Sequence, residues 1–499
     1  MTFDRARQAV GLVGGPLCAL GVYALPIPAL SPGAHTLLAI VTLVCLWWIT
    51  EPVPIPVTSL IGPMLAVIFG VAAVGDAFDA FSSPVIFLFL GGFILARAMT
   101  LHGLDRRFAY KILSLKWVGS SPTRIFLAVG IATMLCSGWI SNTATAAMML
   151  PISIGLLEAI QEMMAANGKN VDLHTYKYAT GLMIMTAYAA SIGGVLTPIG
   201  TPPNLIMVGL LDTMADIHVS FFQWMVWGFV AMSVYFAIAA AVLHFQYPAD
   251  IKRIDGAEDV IRRKVEELGP WTFGQKATLV AFLGAVVLWT APGVLSIVFG
   301  SDSQILSSYS VMLPESVVAL LAAVSLFLIP TDFENREFVM NWKDAVAGVD
   351  WGTLLLFGGG LSLGTLMFST GLSEWVGASI VAAFGGEPSE FVFVAVFCVL
   401  SLGLSELASN TAAVNMVGPL AITAATTAGF DPIPVAVGVA LSASLGFMLP
   451  VSTPPNAIVY STGYIPITKM IKSGFIIDVV GIFCVTIPLC LLLVKFVIG

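Results

Sequence analysis

The chain alternates long apolar stretches with short polar ones over nearly its whole length. Stretches of about 20 mainly apolar residues, the length that crosses a bilayer as a helix, recur through the 499 residues. The first covers residues 10–30, and the last follows Lys472. One long charged stretch interrupts the pattern at 246–276, and its centre at 257–268 predicts an amphipathic surface helix. The pattern predicts an all-α polytopic membrane protein.

Two polar motifs each occur twice. The triplet Ser-Asn-Thr that begins at Ser141 returns 268 residues later at Ser409. The tetrapeptide Thr-Pro-Pro-Asn that begins at Thr201 returns 252 residues later at Thr453. The 16-residue difference between the two spacings fits an additional polar loop at 165–178 in the first copy. Two ordered motifs at nearly constant spacing indicate an internal duplication.

The duplication predicts how the chain is organised. Paired prolines prevent a continuous helix, because proline lacks an amide hydrogen and its ring clashes with the preceding turn. Each Thr-Pro-Pro-Asn therefore predicts a broken helix, and each Ser-Asn-Thr predicts the tip of a re-entrant hairpin. The predicted units are an N-terminal helix (1–34), a first repeat (35–245, hairpin tip 141–143, broken helix 197–204), a cytoplasmic amphipathic linker (246–276) and a second repeat (277–499, hairpin tip 409–411, broken helix 450–456).

Composition and charge support this organisation. The chain is 58% hydrophobic and only 10% charged, too little charge to cover a soluble surface of this size, and its net charge of −8 offers no basic face for nucleic acid. Lysine and arginine fall almost wholly on the cytoplasmic side if both hairpins are re-entrant, with the N-terminus cytoplasmic and the C-terminus outside. Lys495 is the exception and lies on the outer side. This distribution predicts about eleven crossings in a bacterial-type cytoplasmic membrane. Five crossings in each repeat invert the second repeat relative to the first, a pattern typical of secondary transporters.

The residue types at the predicted tips suit two kinds of ion. Serine, asparagine and threonine cap helix N-termini, whose amides and positive dipole ends favour an anion. Helices that end at the breaks expose carbonyl oxygens, which suit a hard cation such as Na⁺. Side-chain oxygens available to join them are those of Ser137, Ser141, Asn142, Ser405, Ser409 and Asn410. The simpler interpretation, that such residues only join neighbouring helices by hydrogen bonds, explains one triplet better than two copies in register.

Glu406 is the carboxylate placed deepest beside a predicted tip, and its counterpart in the first repeat is Gly138. An acid within the membrane is a candidate cation partner or proton carrier. The alternative is that it holds the hairpin through hydrogen bonds. The six cysteines lie inside apolar stretches without paired spacing, and no nucleotide-binding motif favours an ATP-driven pump.

The segments 137–146 and 405–412, together with the two Thr-Pro-Pro-Asn breaks, resemble the divalent anion/sodium symporter family of di- and tricarboxylate and sulfate carriers. The resemblance implies a homodimer in the lipid bilayer, in which a transport domain moves against a static scaffold domain as an elevator. It implies substrate binding by Ser141, Asn142, Thr143, Ser409, Asn410, Thr411, Thr201 and Thr453. It implies one sodium site at Ser137, Ser141, Asn142 and Gly200, and a second at Ser405, Ser409, Asn410 and Ser452. Ser452 stands where the first repeat has Gly200, so the geometry of the second site stays open.

The function that follows is sodium-coupled symport of C4-dicarboxylates such as succinate, malate and fumarate, with Na⁺ as the coupling ion. One alternative is a dicarboxylate exchanger that does not use Na⁺, and another is a sulfate or citrate carrier of the same family. A membrane enzyme or channel is a third class. The sequence disfavours an enzyme, because it shows no nucleophile–base pair and no metal-ligand spacing.

Overall fold

The computed structural model describes residues 3–166, 171–254, 256–300, 302–385 and 389–497. Over these ranges the chain forms helices α1 to α24 and one pair of short strands. Eight of the described helices are long and apolar enough to cross a membrane, or nine if one bent pair counts as a single span. This confirms the all-α polytopic membrane fold, whereas the number of crossings and their direction stay predictions.

Within residues 3–166 and 171–246, the described part of the first half, the chain forms eleven helices and one 3₁₀ turn. The helices are α1 Phe3–Ala24, α2 Pro32–Thr50, α3 Ile55–Ile68, α4 Val74–Phe78, α5 Pro84–Leu101, α6 Leu104–Leu113, α7 Pro122–Ser137, α8 Asn142–Ala166, α9 Lys177–Gly194, α10 Pro202–Ala215 and α11 Phe221–Gln246, with the 3₁₀ turn at Asp79–Ser82. Polar residues define several of their starts. Ser220 forms a capping box with Gln223 at the start of α11, so two of the amides that a helix start leaves unpaired are satisfied.

The rest of the chain begins with the predicted amphipathic helix, α12 Ala257–Glu267. The elements that follow are α13 Phe273–Phe299, α14 Gln304–Met312, α15 Glu315–Leu328, β1 Pro330–Asp332, β2 Glu337–Phe338, α16 Trp342–Gly348, α17 Trp351–Ser369, α18 Leu372–Ala383, α19 Glu390–Leu407, α20 Asn410–Ala428, α21 Pro432–Ala443, α22 Pro454–Tyr460, α23 Ile467–Gly481, a π-helical turn Ile482–Thr486 and α24 Ile487–Val497. The strands pair antiparallel, with Pro330 opposite Phe338.

One predicted span differs from the structure. The apolar stretch at 311–329 predicts a single helix, but α14 and α15 meet there at a bend of 49°. Pro314 stands immediately before α15 with extended backbone (φ −62°, ψ 154°). Proline cannot donate the amide hydrogen that would continue α14, so the chain turns at this point.

Both predicted breaks are present. The helix α9 ends at Gly194 and α10 begins at Pro202, while α21 ends at Ala443 and α22 begins at Pro454. In each case two prolines occupy the first two helical positions, where a missing amide hydrogen costs nothing. The unwound segments between these helices are long enough to present backbone carbonyls to neighbouring elements.

The two halves of the chain pack into each other. Within the first half α9 lies against α7 and α8, and within the second α21 lies against α19 and α20. Across the halves α10 packs on α20 and α21, while α22 packs on α8 and α9. The helix that follows each break therefore packs on two helices of the opposite half. One is the second helix of the hairpin, and the other is the helix that precedes the break. The domain boundaries given by the sequence, and the inversion of the second repeat, stay predictions.

Large apolar surfaces remain on the outside of the protein. On α13 the side chains of Val280, Val287 and Ile297 are 72%, 64% and 76% exposed. Exposed apolar surface of this kind marks an interaction with a membrane or another protein. Together with the length of the helices, it indicates that lipid surrounds the bundle.

Candidate functional site

Three oxygen atoms converge at the first hairpin tip. Ser137 is the last residue of α7, and its Oγ lies 2.8 Å from Asn142 Oδ1 at the start of α8. The same Oγ lies 2.6 Å from the carbonyl oxygen of Ala190 in α9. The serine hydroxyl supplies one hydrogen for both acceptors. The result is a cluster of oxygens with an excess of lone pairs, which we name the first oxygen cluster.

The second half repeats this arrangement. Ser405, near the end of α19, places its Oγ 2.7 Å from Asn410 Oδ1 at the start of α20. The same hydroxyl also donates to the carbonyl oxygen of Ala443 in α21. We name these three groups the second oxygen cluster. Both serines are fully buried, so each cluster lies against the inside of the bundle.

The hairpin tips also leave donors available. Ser141 Oγ accepts a hydrogen bond from the Ala144 amide at 3.2 Å, and Ser409 Oγ accepts one from the Ala412 amide at 3.1 Å. These bonds cap α8 and α20, whose N-termini therefore lie at the tips. Within the described part of the chain, Nδ2 of Asn142 and of Asn410 has no hydrogen-bond partner. Thr143 is exposed and Thr411 is half-buried, so both remain accessible beside these amides.

Glycines bring the first break against the first oxygen cluster. A methyl group at Gly194 would lie 2.2 Å from Asn142 Oδ1, which leaves no room for a side chain. A methyl group at Gly200 would lie 2.4 Å from the carbonyl oxygen of Gly194 and 3.0 Å from that of Gly138. Gly200 thus lies against Gly138, the residue after Ser137, and against Gly194, which itself contacts Asn142.

The Thr-Pro-Pro-Asn motifs lie inside the bundle. Thr201 and Thr453 are the N-cap residues of α10 and α22, and they are 4% and 2% exposed. Thr453 Oγ1 accepts a hydrogen bond from the Asn456 amide at 3.4 Å, whereas Thr201 makes no such capping bond. Both threonines therefore stand at the breaks, as the sequence predicts.

The site predicted from the sequence does not include the asparagines of these motifs, although they belong to the repeated tetrapeptide. Asn204 Nδ2 donates to the carbonyl oxygens of Gly194 and Thr197 at 3.0 and 2.8 Å. Asn456 Nδ2 bridges the second break in the same way at 3.1 and 3.0 Å. In both residues Oδ1 is buried and has no partner among the described residues. Each asparagine fixes a break and leaves one further oxygen free.

The two breaks differ at two corresponding positions. Gly200 of the first half corresponds to Ser452 of the second, and Thr197 corresponds to Leu449. In the first half Thr197 Oγ1 donates to the carbonyl oxygen of Gly138. In the second half Ser452 Oγ lies 3.3 Å from the equivalent carbonyl oxygen, that of Glu406. Leu449, which occupies the position of Thr197, carries no hydroxyl. A hydroxyl thus reaches the same carbonyl from different positions in the two halves.

Glu406 holds the second break. It is 3% exposed, and its carboxylate accepts hydrogen bonds from the amides of Met448 and Leu449 at 2.8 and 3.2 Å. Ser452 Oγ donates to the same carboxylate. These contacts correspond to the structural alternative raised by the sequence, except that the carboxylate binds the broken segment rather than the hairpin.

The site contains no basic side chain. None of the residues that form the two clusters, the tips or the breaks is Lys, Arg or His. Salt bridges in the described part of the chain lie elsewhere, as between Arg7 and Glu51 at 3.5 Å. In the loop before α11, His218 donates a hydrogen bond to the Asp212 carboxylate, which raises the pKa of His218. An anion at the tips would therefore meet only neutral donors and helix N-termini.

Comparisons with known proteins show the family of the chain. Residues 9–494 match the family described as the sodium:sulfate symporter transmembrane region. The sodium-dependent dicarboxylate transporter SdcS of Staphylococcus saprophyticus is 34% identical over 483 residues, covering 96% of this chain and 90% of that protein. SdcS of Staphylococcus aureus strain USA300 is 31% identical over 479 residues, covering 95% and 89%.

Two solved structures share the fold. The YdaH transporter of Alcanivorax borkumensis has a TM-score of 0.55 at 12% identity, over 85% of this chain and 88% of that one. MtrF of Neisseria gonorrhoeae has a TM-score of 0.53 at 14% identity, over 86% and 84%. The match to the family spans nearly the whole chain and includes both hairpin tips and both breaks. The chain belongs to the family of the sodium:sulfate symporter transmembrane region.

Proposed function

We propose that this membrane transporter carries C4-dicarboxylates such as succinate, malate and fumarate into the cell together with Na⁺. The observation that carries the proposal is the oxygen cluster, which occurs twice with the same three kinds of group. In each copy a serine hydroxyl, an asparagine carbonyl and a backbone carbonyl meet with a single hydrogen among them. The relatives named sodium-dependent dicarboxylate transporters support the choice of both ions.

The cation part of the proposal follows from the type of ligand. Neutral oxygens at short distances suit a hard monovalent cation, and unwound backbone supplies further carbonyls. We propose that one Na⁺ binds at Ser137, Ser141, Asn142 and Gly200, and another at Ser405, Ser409, Asn410 and Ser452. In each set the cation would satisfy lone pairs for which the cluster itself offers no hydrogen.

The anion part follows from the donors at the tips. The proposed ligands of the substrate carboxylates are Ser141, Asn142, Thr143, Ser409, Asn410, Thr411, Thr201 and Thr453. Two opposed tips suit a molecule with a negative charge at each end, since each offers hydroxyls, an unpaired amide group and a helix N-terminus. Without a basic side chain nearby, the dianion depends on the bound cations for charge compensation. That dependence would couple the two ligands.

Three further features belong to this proposal. They are an inner-membrane location with the N-terminus cytoplasmic and the C-terminus outside, a homodimer, and an elevator movement of a transport domain against a scaffold. The distribution of lysine and arginine supports the orientation, and the resemblance of the motifs supports the other two. Sulfate is a second candidate substrate, because the description of the family names it.

Binding of succinate to the purified protein at several Na⁺ concentrations, with choline to balance the ionic strength, tests the proposal. Linkage requires that Na⁺ raise the affinity for succinate and that succinate raise the affinity for Na⁺ by the same factor. A coupling of about 1–3 kcal/mol corresponds to a factor of roughly 5–150. Binding of succinate that does not respond to Na⁺ would instead indicate an exchanger, and sulfate can be assayed in the same way.

Serine variants test whether the two oxygen clusters are responsible for the coupling between Na⁺ and succinate. Ser137→Ala and Ser405→Ala each remove the hydroxyl at the centre of one cluster. We expect both to shift the Na⁺ dependence to higher concentration while leaving the affinity at saturating Na⁺ less affected. Ser379→Ala is a matched control, because Ser379 is exposed on α18 and bonds only to its own helix. If the Na⁺ dependence of succinate binding is the same in all three variants, the clusters are not the sodium sites.

A further inference from the structure

Asp478 is buried inside the bundle without a partner. It lies on α23, one turn before the π-helical turn, and is 1% exposed. Neither Oδ1 nor Oδ2 has a hydrogen-bond partner among the described residues. An ionised carboxylate removed from water without a counter-charge is strongly unfavourable. A proton or a bound cation must therefore compensate the charge of this carboxylate.

The groups around Asp478 are mainly oxygens. Its carboxyl lies near the carboxyl of Glu406 and the amide of Phe447, but neither forms a hydrogen bond of ordinary geometry with it. The hydroxyls of Tyr188 and Tyr235 also lie close enough to interact with its charge. Those two hydroxyls donate their hydrogens elsewhere, to the carbonyl oxygens of Phe447 at 2.7 Å and of Ile477 at 3.1 Å. Neither hydroxyl therefore has a hydrogen left to donate to Asp478.

Glu406 supplies the second carboxyl group. Its oxygens accept hydrogen bonds from two backbone amides and the Ser452 hydroxyl. Within the described part of the chain, no salt bridge reaches Glu406 or Asp478. Two acids thus meet in the interior of a membrane protein with no basic side chain beside them. Such residues mark ion pathways and ion sites.

We propose that Glu406 and Asp478 together bind one additional Na⁺, behind the second break and separate from the two at the hairpin tips. Carboxylate, phenol and backbone oxygens are hard ligands that suit this ion. A sodium ion can contact several of these oxygens at once, whereas a proton satisfies one pair. Gly138 replaces Glu406 in the first half, so that half lacks an equivalent site. This inference rests on the proposed sodium coupling.

The bound ion would connect the site to the rest of the protein. Glu406 touches Ser452, which belongs to the second proposed sodium site, while Asp478 belongs to a helix outside both hairpins. A cation between them would tie α23 to the unwound segment and hold that segment in place. Sodium at this position would therefore favour the arrangement in which the second oxygen cluster is formed.

The test is the number of sodium ions bound per protomer, measured with radioactive sodium on purified, monodisperse protein. We expect Asp478→Asn to bind one ion fewer than the wild type, and Asp302→Asn, an exposed control with the same change, to bind the wild-type number. Asp478→Glu keeps the charge and should keep the ion. Equal numbers for the wild type and Asp478→Asn would overturn the proposal. A wild type that binds no sodium would instead overturn the proposed function.

Infrared spectra of the wild type provide a measurement that does not depend on the folding of a variant. With sodium bound, both acids are expected to be ionised, and addition of sodium should shift their carboxylate bands. A carboxylic acid band that persists in saturating sodium and disappears in Asp478→Asn would show that a proton occupies the pair. That result would also overturn the proposal.

Discussion

Replacing Gly194 by alanine tests whether the position of the Asn142 amide controls transport. The added methyl group would lie 2.2 Å from Asn142 Oδ1, whereas ordinary contact begins at 3.4 Å. The amide must therefore move by about 1.2 Å, the difference between these two distances. The obstacle is a side chain rather than backbone, so the strain can be relieved by rotation of the asparagine.

The expected effect on stability is small and the effect on transport is large. A side chain forced about 30° from its preferred rotamer costs about 0.5–1.5 kcal/mol. A misplacement of about 1 Å in a group that positions a ligand can reduce a rate on the order of 100-fold. We therefore expect Gly194→Ala to purify as monodisperse protein with nearly wild-type thermal stability. Its initial rate of sodium-driven succinate uptake in proteoliposomes should fall on the order of 100-fold.

Two other glycines serve as controls. A methyl group at Gly155 on α8 would meet nothing within 4 Å, so Gly155→Ala should transport normally. At Gly446, the counterpart of Gly194, it would lie 3.2 Å from Ser452 Cβ and 3.5 Å from Ser405 Oγ, both nearer than any atom of Asn410. Gly446→Ala should therefore lose less activity than Gly194→Ala. Wild-type uptake by Gly194→Ala would refute the role assigned to Asn142.

Three more predictions follow from the site and the topology. Asn142→Ala and Asn410→Ala should each abolish succinate uptake in proteoliposomes without unfolding the protein, since each amide is proposed to serve both ions; wild-type uptake by either would contradict this. A cysteine introduced near Asp431 should react with an impermeant reagent in whole cells, and one near Lys469 only after permeabilisation; the reverse pattern would mean that the crossing count is wrong. Glu406→Gln leaves one loop amide without an acceptor, which costs about 1–3 kcal/mol when buried, so its apparent Tm should fall, and an unchanged Tm would argue against this role.

The interruptions of the helices could be predicted from the sequence because their causes are local. The pairs Pro202-Pro203 and Pro454-Pro455 prevent a continuous helix wherever they stand. A serine before a helix caps it through its own short side chain, so Ser141 and Ser409 identify the starts of α8 and α20. The bend at Pro314 has the same local cause, although the single span predicted at 311–329 runs across it.

The partners across the site could not be predicted, because they depend on how distant helices pack. The carbonyl oxygens of Ala190 and Ala443 complete the two clusters, yet alanine carries no signal of this in a sequence. Asp478 resembles an ordinary acid in the last part of the chain. Its carboxyl becomes buried without a hydrogen-bond partner only when α23 packs on the segment that contains Phe447. A single sequence reveals the residue types at a site but not the groups that are left without partners.

The exchange between the two halves indicates which feature of the site is constrained. Thr197 supplies a hydroxyl to the carbonyl oxygen of Gly138, and Ser452 supplies one to that of Glu406, although the two donors occupy different positions. A hydroxyl oxygen thus lies beside the carbonyl at the end of the first hairpin helix in both halves, although in the second half its hydrogen goes to the Glu406 carboxylate. The residue that carries the hydroxyl has moved by three positions along the unwound segment. Duplication therefore preserved the position of the oxygen atoms rather than the residues. A binding site built from backbone and neutral side-chain oxygens depends on such positions, because each oxygen contributes only a partial charge and the cation must be reached by several at once.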